Sequence, residues 1–243
     1  MAARSRARQP VLVSDAPSER TRVRRIADKA AYDRPTIDAI LDAGMIAHLA
    51  IVDDQGQPFS VPCAYARIGD EVAFHGSVAS RLLRSSATGP MCLTVTLLDG
   101  LVVARSLFES SMHYRSVMVV GSARRIVDPV EQSEALLALS ERLIPGRVAE
   151  ARGPSEVELR QTSVMALRLD EASAKVSDAW PDDGPDDVAL PIWAGVVPLR
   201  QSWGTPAPAP DLPPGIGVPA SVSSLADDHR LVRPQGPTTG SVE

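Results

Sequence analysis

Aromatic side chains are scarce. Phe, Tyr and Trp make up only 4% of the 243 residues, so a core has to be assembled from Val, Leu, Ile and Ala. Cysteine is nearly absent. Cys63 and Cys92 each lie within an apolar run and read as small buried hydrophobes, and two soft ligands are too few for a structural zinc site, so no bound metal ion is expected. A surplus of positive charge is also missing. The formal net charge of -5 gives no footprint for nucleic acid, and none is expected as a partner. No run approaches the roughly 18 apolar residues of a membrane-spanning helix, and the basic start MAARSRARQP has no apolar stretch of the secretory kind. The reading is a soluble, cytoplasmic protein with no membrane partner.

What is present suffices for one large domain: 44% of the residues are hydrophobic. Residues 1–20 lack periodicity and read as a flexible arm. Residues 201–243 open with QSWGTPAPAPDLPPGIGVPAS, a composition too poor in apolar surface to offset chain entropy, and read as a disordered Pro-rich tail. The folded body is then 21–200. It begins with a helix that has Pro35 at its first position, Ile37, Ile40 and Leu41 on one face, and Gly44 at its end. Strand signals follow at 45–53, 58–68, 72–76, 91–100, 101–106, 116–127, 164–178 and 192–200, with a short helix over 79–87. Asp128-Pro129 starts a longer helix, with Glu131 completing a capping box. Many short strands with few helices predict a mainly β fold with helical additions, a Greek-key or meander barrel.

Three stretches could carry chemistry. In FHGSVASRLLRSS (74–86) a strand gives way to a loop and the first turn of a helix. Free N–H groups there, the hydroxyls of Ser77 and Ser80, the forked donor Arg81 and the small Gly76 suit an anion such as phosphate. A serine-capped surface helix with a solvated arginine is the plainer alternative. In HYRSVMVVG (113–121) Ser116 stands at a strand start, with Tyr114 and Arg115 as exposed entrance residues and His113 as a solvated turn residue. In GQPFSVPCAYAR (56–67) Pro62 removes a ladder donor, which marks an edge, a bulge or a ligand-facing stretch. The acidic DDGPDD (182–187) reads as a solvated loop, and His48 as a core or sheet-face histidine.

The order of GQP, strand, FHG turn, Ser-Arg and helix, then TVTLLDGLVVARS and YRSVMVVG, resembles the FMN-binding split barrel of the pyridoxamine 5'-phosphate oxidase type. Within it, the nitroimidazole-resistance flavoproteins are the nearer likeness, and AYDRP near the start is shared with them. The resemblance implies FMN, with its phosphate on Ser80 and Arg81. His75, Gly76 and Ser77 would line the flavin, and Val61, Pro62, Cys63 and Ala64 would run along its ring. Ser116 takes the place of a polar contact, and Lys175 and Trp193 fall on late strands that approach the cofactor in related flavoproteins. It also implies a homodimer and an oxidoreductase that takes electrons from NAD(P)H to a small acceptor, nitroaromatic or quinone-like, with His75 as proton donor. Three cations of the oxidases are replaced by Val61, Ala66 and Leu82, leaving Arg81, helped by Arg84, for the anion. The alternatives are a non-catalytic flavin-binding protein, or a split barrel holding a deazaflavin or haem, with His75 or His48 on the iron.

Overall fold

The computed structural model describes residues 15–53, 55–80 and 89–227. Its scaffold is a ten-stranded, wholly antiparallel sheet that curls without closing. In chain order the strands are β1 (Ala30–Ala31), β2 (Ile46–Val52), β3 (Pro58–Ile68), β4 (Glu71–Ser77), β5 (Met91–Val103), β6 (Ser111–Gly121), β7 (Arg124–Ile126), β8 (Thr162–Arg168), β9 (Ala172–Ser177) and β10 (Gly195–Pro198). They lie in the order β1-β9-β6-β5-β2-β3-β4-β8-β7, and β10 adds to the outer part of β5. This is the expected mainly β split barrel.

The split itself is a matter of register. The first part of β3 pairs with β2, from Val52↔Pro58 to Ile46↔Ala64. The last part pairs with β4, from Tyr65↔Phe74 to Ile68↔Glu71. Beyond Phe74, strand β4 continues with β8 alone, through His75↔Val164 to Ser77↔Thr162. The strands therefore part between Ala64 and His75. Among the described residues Pro62 sits where β3 has a strand on one side only, the edge position that suits a residue without an N–H.

The helix α1 (Arg34–Ala43) starts on Asp33, whose carboxylate accepts the Thr36 N–H at 2.9 Å. It buries Ile37, Ile40 and Leu41 against Leu49, Leu93, Val117 and Phe74 in the main core. At its end Gly44 is dictated by space: a Cβ there would stand 2.5 Å from Val95 Cγ1 and 2.6 Å from the Tyr65 hydroxyl. That hydroxyl donates to the Leu41 carbonyl at 2.6 Å, which ties helix to sheet. The helix α2 (Pro129–Leu143) is capped by Asp128, as expected. Glu131 does not complete the capping box. Its carboxylate is taken by Arg124 at 2.5 Å, and a capping box occurs instead at Ser155 and Glu158. A smaller core forms where α2 covers the outer side of β4 and β8, with Ala135 against Ala73, Ile126, Val164 and Ala166.

Several expected boundaries move. The segments 91–100 and 101–106 form one strand, β5, because the irregularity between Leu98 and Gly100 is absorbed as a bulge in its pairing with β6. The segment 164–178 is a hairpin, β8 and β9, and 116–127 divides into β6 and β7. Ser116 is thus mid-strand rather than at a strand start. His113 is buried, 3% exposed, with Nε2 at 2.9 Å from the Ala179 carbonyl: the chain after β9 folds over it, so it is no solvated turn residue. The acidic run is not wholly solvated either. The Asp183 carboxylate accepts the Arg105 amide at 2.8 Å and its guanidinium at 2.9 Å. A short helix, Ala220–Ser223, docks on the body, with Ser221 buried. Its N–H donates to Glu150 Oε1 at 3.1 Å and its hydroxyl to Oε2. At the other end, Ser18 donates to Glu171 at 2.5 Å.

Candidate functional site

Strand alternation divides the expected cofactor residues between two faces. In β2, Ala47, Leu49 and Ile51 turn inward, and Ile46, His48 and Val52 stay exposed. Register then carries the outer face across the sheet. Pro62 lies opposite His48, His48 opposite Thr94, and Thr94 opposite Met118. One step along, Thr96 meets Ser116, and Ser116 meets Lys175. So Pro62, Ala64, Ser116 and Lys175 share one outer surface, with His48 in the middle. Val61 and Cys63 point the other way and pack on the main core. Only their backbone faces the free side of β3. Burial pushes the Cys63 thiol pKa up to about 12, which keeps it protonated and unreactive.

The remaining expected residues lie elsewhere. His75, Gly76 and Ser77 end β4 across the split from Ala64. Ser77 accepts the Ala79 N–H on its hydroxyl at 3.2 Å and the Ser80 N–H on its carbonyl at 2.9 Å, which makes a tight turn. Arg81, Leu82 and Arg84, and most of the helix expected over 79–87, lie outside the described residues. Trp193 does not join the group. It is 64% exposed, folds its ring against Gly195, and Gly195 pairs with Val103 at the far end of β5.

Two cavities border these residues. The first, about 550 Å³, continues the outer face past Ala50, Ser60, Cys92 and Val120, and among the described residues its one cation is Arg20. The second, about 470 Å³, lies between α2 and the 147–154 loop, with His75 on its wall. His75 shares its face of β4 with Ala73, which α2 covers. His75 is exposed at the end of β4, and partial desolvation holds its imidazole pKa below the ordinary value.

Sequence reasoning missed the second groove because its walls come from three separated segments. Arg147 and Arg152 reach it from a loop that shows no periodic pattern. It also missed that Arg115 is no exposed entrance residue: its fork closes on Asp99 across the β5 bulge.

The family model of pyridoxamine 5'-phosphate oxidase matches residues 33–176, from the cap of α1 to the end of β9. The chain belongs to the pyridoxamine 5'-phosphate oxidase family. Among solved structures, this family member is similar to the flavocytochrome Anf3 from Azotobacter vinelandii, at 40% identity over 87% of this chain and 98% of that one, with a TM-score of 0.83. It is also similar to the FAD and heme binding protein from Mycobacterium smegmatis, at 43% identity over 82% and 97% of the two chains, TM-score 0.78. A nitroimidazole-resistance-type protein from Bacteroides thetaiotaomicron, at 21% identity over 60% and 86% and TM-score 0.51, shares the fold. No curated protein sequence matches the chain. Both likenesses cover more of this chain than the segment the family model matches.

Proposed function

We propose that this protein is a flavin-dependent redox protein that also holds haem, with the flavin lying on the outer face beside the free side of β3. The observation that carries the reading is the row Pro62, His48, Thr94 and Met118, bordered by an apolar cavity of about 550 Å³. A flat heterocycle needs an apolar floor and a strip of backbone donors and acceptors. The free side of Pro58–Ala64 supplies the strip, and the outer face supplies the floor.

FAD suits these residues better than the FMN expected from the sequence. A terminal monophosphate is close to dianionic and calls for several cations. Val61 packs on the core and Ala66 is buried, and the one arginine of β3, Arg67, is engaged by Asp42. A diphosphate within a longer molecule spreads its charge and adds an adenosine that apolar surface can hold. The names of the two relatives above 40% identity, or at that figure, support flavin together with haem. A bound flavin supplies one- and two-electron chemistry and a haem one-electron chemistry.

The chain's own part is to orient and to exclude water. Ser116 and Lys175 present polar groups at the margin of the row, and Lys175 is held by donating to the Arg25 carbonyl at 3.2 Å. The exposed Ile46 and Val52 on this face favour a homodimer in which a second copy covers it. NAD(P)H as electron donor and a nitroaromatic or quinone-like small acceptor belong to the same reading, with the acceptor entering from that face. Purified full-length protein, heated to release its cofactor and analysed by mass, is expected to yield FAD. Protein that neither carries nor takes up any flavin refutes the proposal.

A further inference from the structure

We infer that the outer-face cavity of about 550 Å³ is the seat of the small acceptor, and that the acceptor is a flat, apolar molecule carrying one carboxylate, which Arg20 receives. The inference rests on the flavin reading and deepens it: it gives the substrate a place and a charge.

Register places the cavity. Ala50 pairs with Ser60 and with Cys92, and Cys92 pairs with Val120. These four form the row next to Pro62, His48, Thr94 and Met118, two residues further along every strand. Two residues of a strand span roughly 7 Å. A ring seated over the one row therefore meets the edge of a flavin lying over the other.

The lining sets the class of molecule. The volume falls within the ~300–1,000 Å³ usual for small-molecule sites. The floor is small and apolar, and Phe59 and Met91 widen it at one end. Such a lining suits an aromatic ring and offers few partners to a polyhydroxylated molecule. No Asp or Glu stands among its described residues, so nothing there repels an anion.

The charge preference comes from the N-terminal stretch. Arg22 and Arg24 are both committed to Glu19, at 2.7 and 3.3 Å. Arg20 has no carboxylate partner among the described residues and lines the cavity. A single guanidinium matches a carboxylate fork to fork, whereas a phosphate near its dianionic form calls for more than one cation.

Glu171 holds this arm to the cavity wall. Its carboxylate accepts the Ser18 hydroxyl at 2.5 Å and the Thr21 hydroxyl at 3.4 Å, and Thr21 is buried. Its backbone carbonyl accepts the Val120 N–H at 2.9 Å. One residue thus ties the chain on both sides of Arg20 to a wall strand of the cavity. Glu171 is a positioning residue: it fixes where Arg20 stands.

The test is isothermal titration calorimetry of the full chain with 4-nitrobenzoate and with 4-nitrobenzamide, which keeps the ring and nitro group without the charge. Flavin content is read by absorbance in every sample, and thermal unfolding checks each variant. The native chain is expected to bind the carboxylate about two- to fivefold more tightly than the amide, the scale of one exposed ion pair. Arg20→Gln should erase that preference and leave amide binding unchanged. Glu171→Ala should erase most of it with Arg20 still in place. Glu171→Gln, whose amide oxygen still accepts from Ser18, should restore it. Ser60→Trp, at an exposed edge position, should block both compounds. A native chain that binds neither compound, or both equally, overturns the inference. Full preference in Arg20→Gln, or undiminished binding in Ser60→Trp, overturns it as well, and full preference in Glu171→Ala overturns the part given to the arm. Flavin-loaded protein that fails these tests leaves the flavin reading standing, and flavin-free protein that passes them refutes that reading alone.

Discussion

Arg115 and Asp99 meet fork to fork: Nε donates to Oδ2 at 2.8 Å and Nη2 to Oδ1 at 2.7 Å. The pair spans β6 and the bulged part of β5, and its side chains are only 14% and 3% exposed. Removing the cation leaves a buried carboxylate uncompensated. Arg115→Met is expected to cost about 3–5 kcal/mol, read as a lower midpoint in urea. Arg115→Lys should recover only part of it, because an ammonium cannot match both oxygens. A midpoint unchanged in Arg115→Met contradicts this.

Asp183 gives a pH dependence. Desolvation pushes its carboxyl up, but the Arg105 amide and guanidinium and the Ser106 amide outweigh it and hold the pKa below the ordinary carboxylate value. A depressed folded pKa stabilises the fold above the unfolded pKa, and this contribution is lost as pH falls through the folded one. The native chain should therefore lose stability on the acid side of pH 4, and Asp183→Asn should show a shallower acid limb. Melting curves taken from pH 7 to pH 3 would reveal it; parallel curves for the two proteins count against it.

Gly44→Ala tests the contact between α1 and the sheet. The added methyl would meet Val95 and the Tyr65 hydroxyl well inside contact distance. The expected loss is about 1–3 kcal/mol, as for overpacked cores, measured by urea unfolding. A neutral effect would mean that Tyr65 can leave the Leu41 carbonyl at no cost.

Thr94→Trp tests the outer face. Thr94 stands beside His48 on the side away from the core, so a large ring there should leave the melting temperature within a few degrees while displacing flavin. Absorbance of the purified variant in the blue reads the outcome. Full flavin content would place the cofactor elsewhere.

Ser221→Ala tests the C-terminal clasp. With its hydroxyl gone, Glu150 loses one of the bonds that tie it to the C-terminal segment and keeps the Ser221 amide. Faster amide hydrogen exchange is expected across residues 147–153, with little change in global stability. Unaltered exchange there would show that the clasp does not restrain the loop.

The fold was legible where one element determines its own form. The N-cap Asp128 was apparent beside Pro129, whereas α1 starts one residue earlier than Pro35 suggested, at Arg34 with Asp33 as its cap; α1 turns inward the three residues its spacing predicts. Strand alternation placed most of β2 through β6. Joining and splitting of strands were not legible, because Gly100 looks the same as a turn or as a bulge until β6 is paired to it. The outer-face row was half legible. Pro62, Ala64, Ser116 and Lys175 were singled out, but the pleat that separates them from Val61 and Cys63 appears only once register is known. The groove at His75 was illegible beyond the histidine itself. Its walls belong to α2 and a loop more than sixty residues downstream in a chain of 243, and no local pattern links them.

The parting of β3 from β4 after Tyr65 and Phe74 has a consequence for how such a molecule changes over time. Pro58–Ala64 answers only to β2, and His75–Ser77 only to β8. Substitutions that reshape one bank of this seam need no compensation on the other. Each bank can thus change singly, while the shared hinge at Tyr65 and Phe74 keeps both on the same frame.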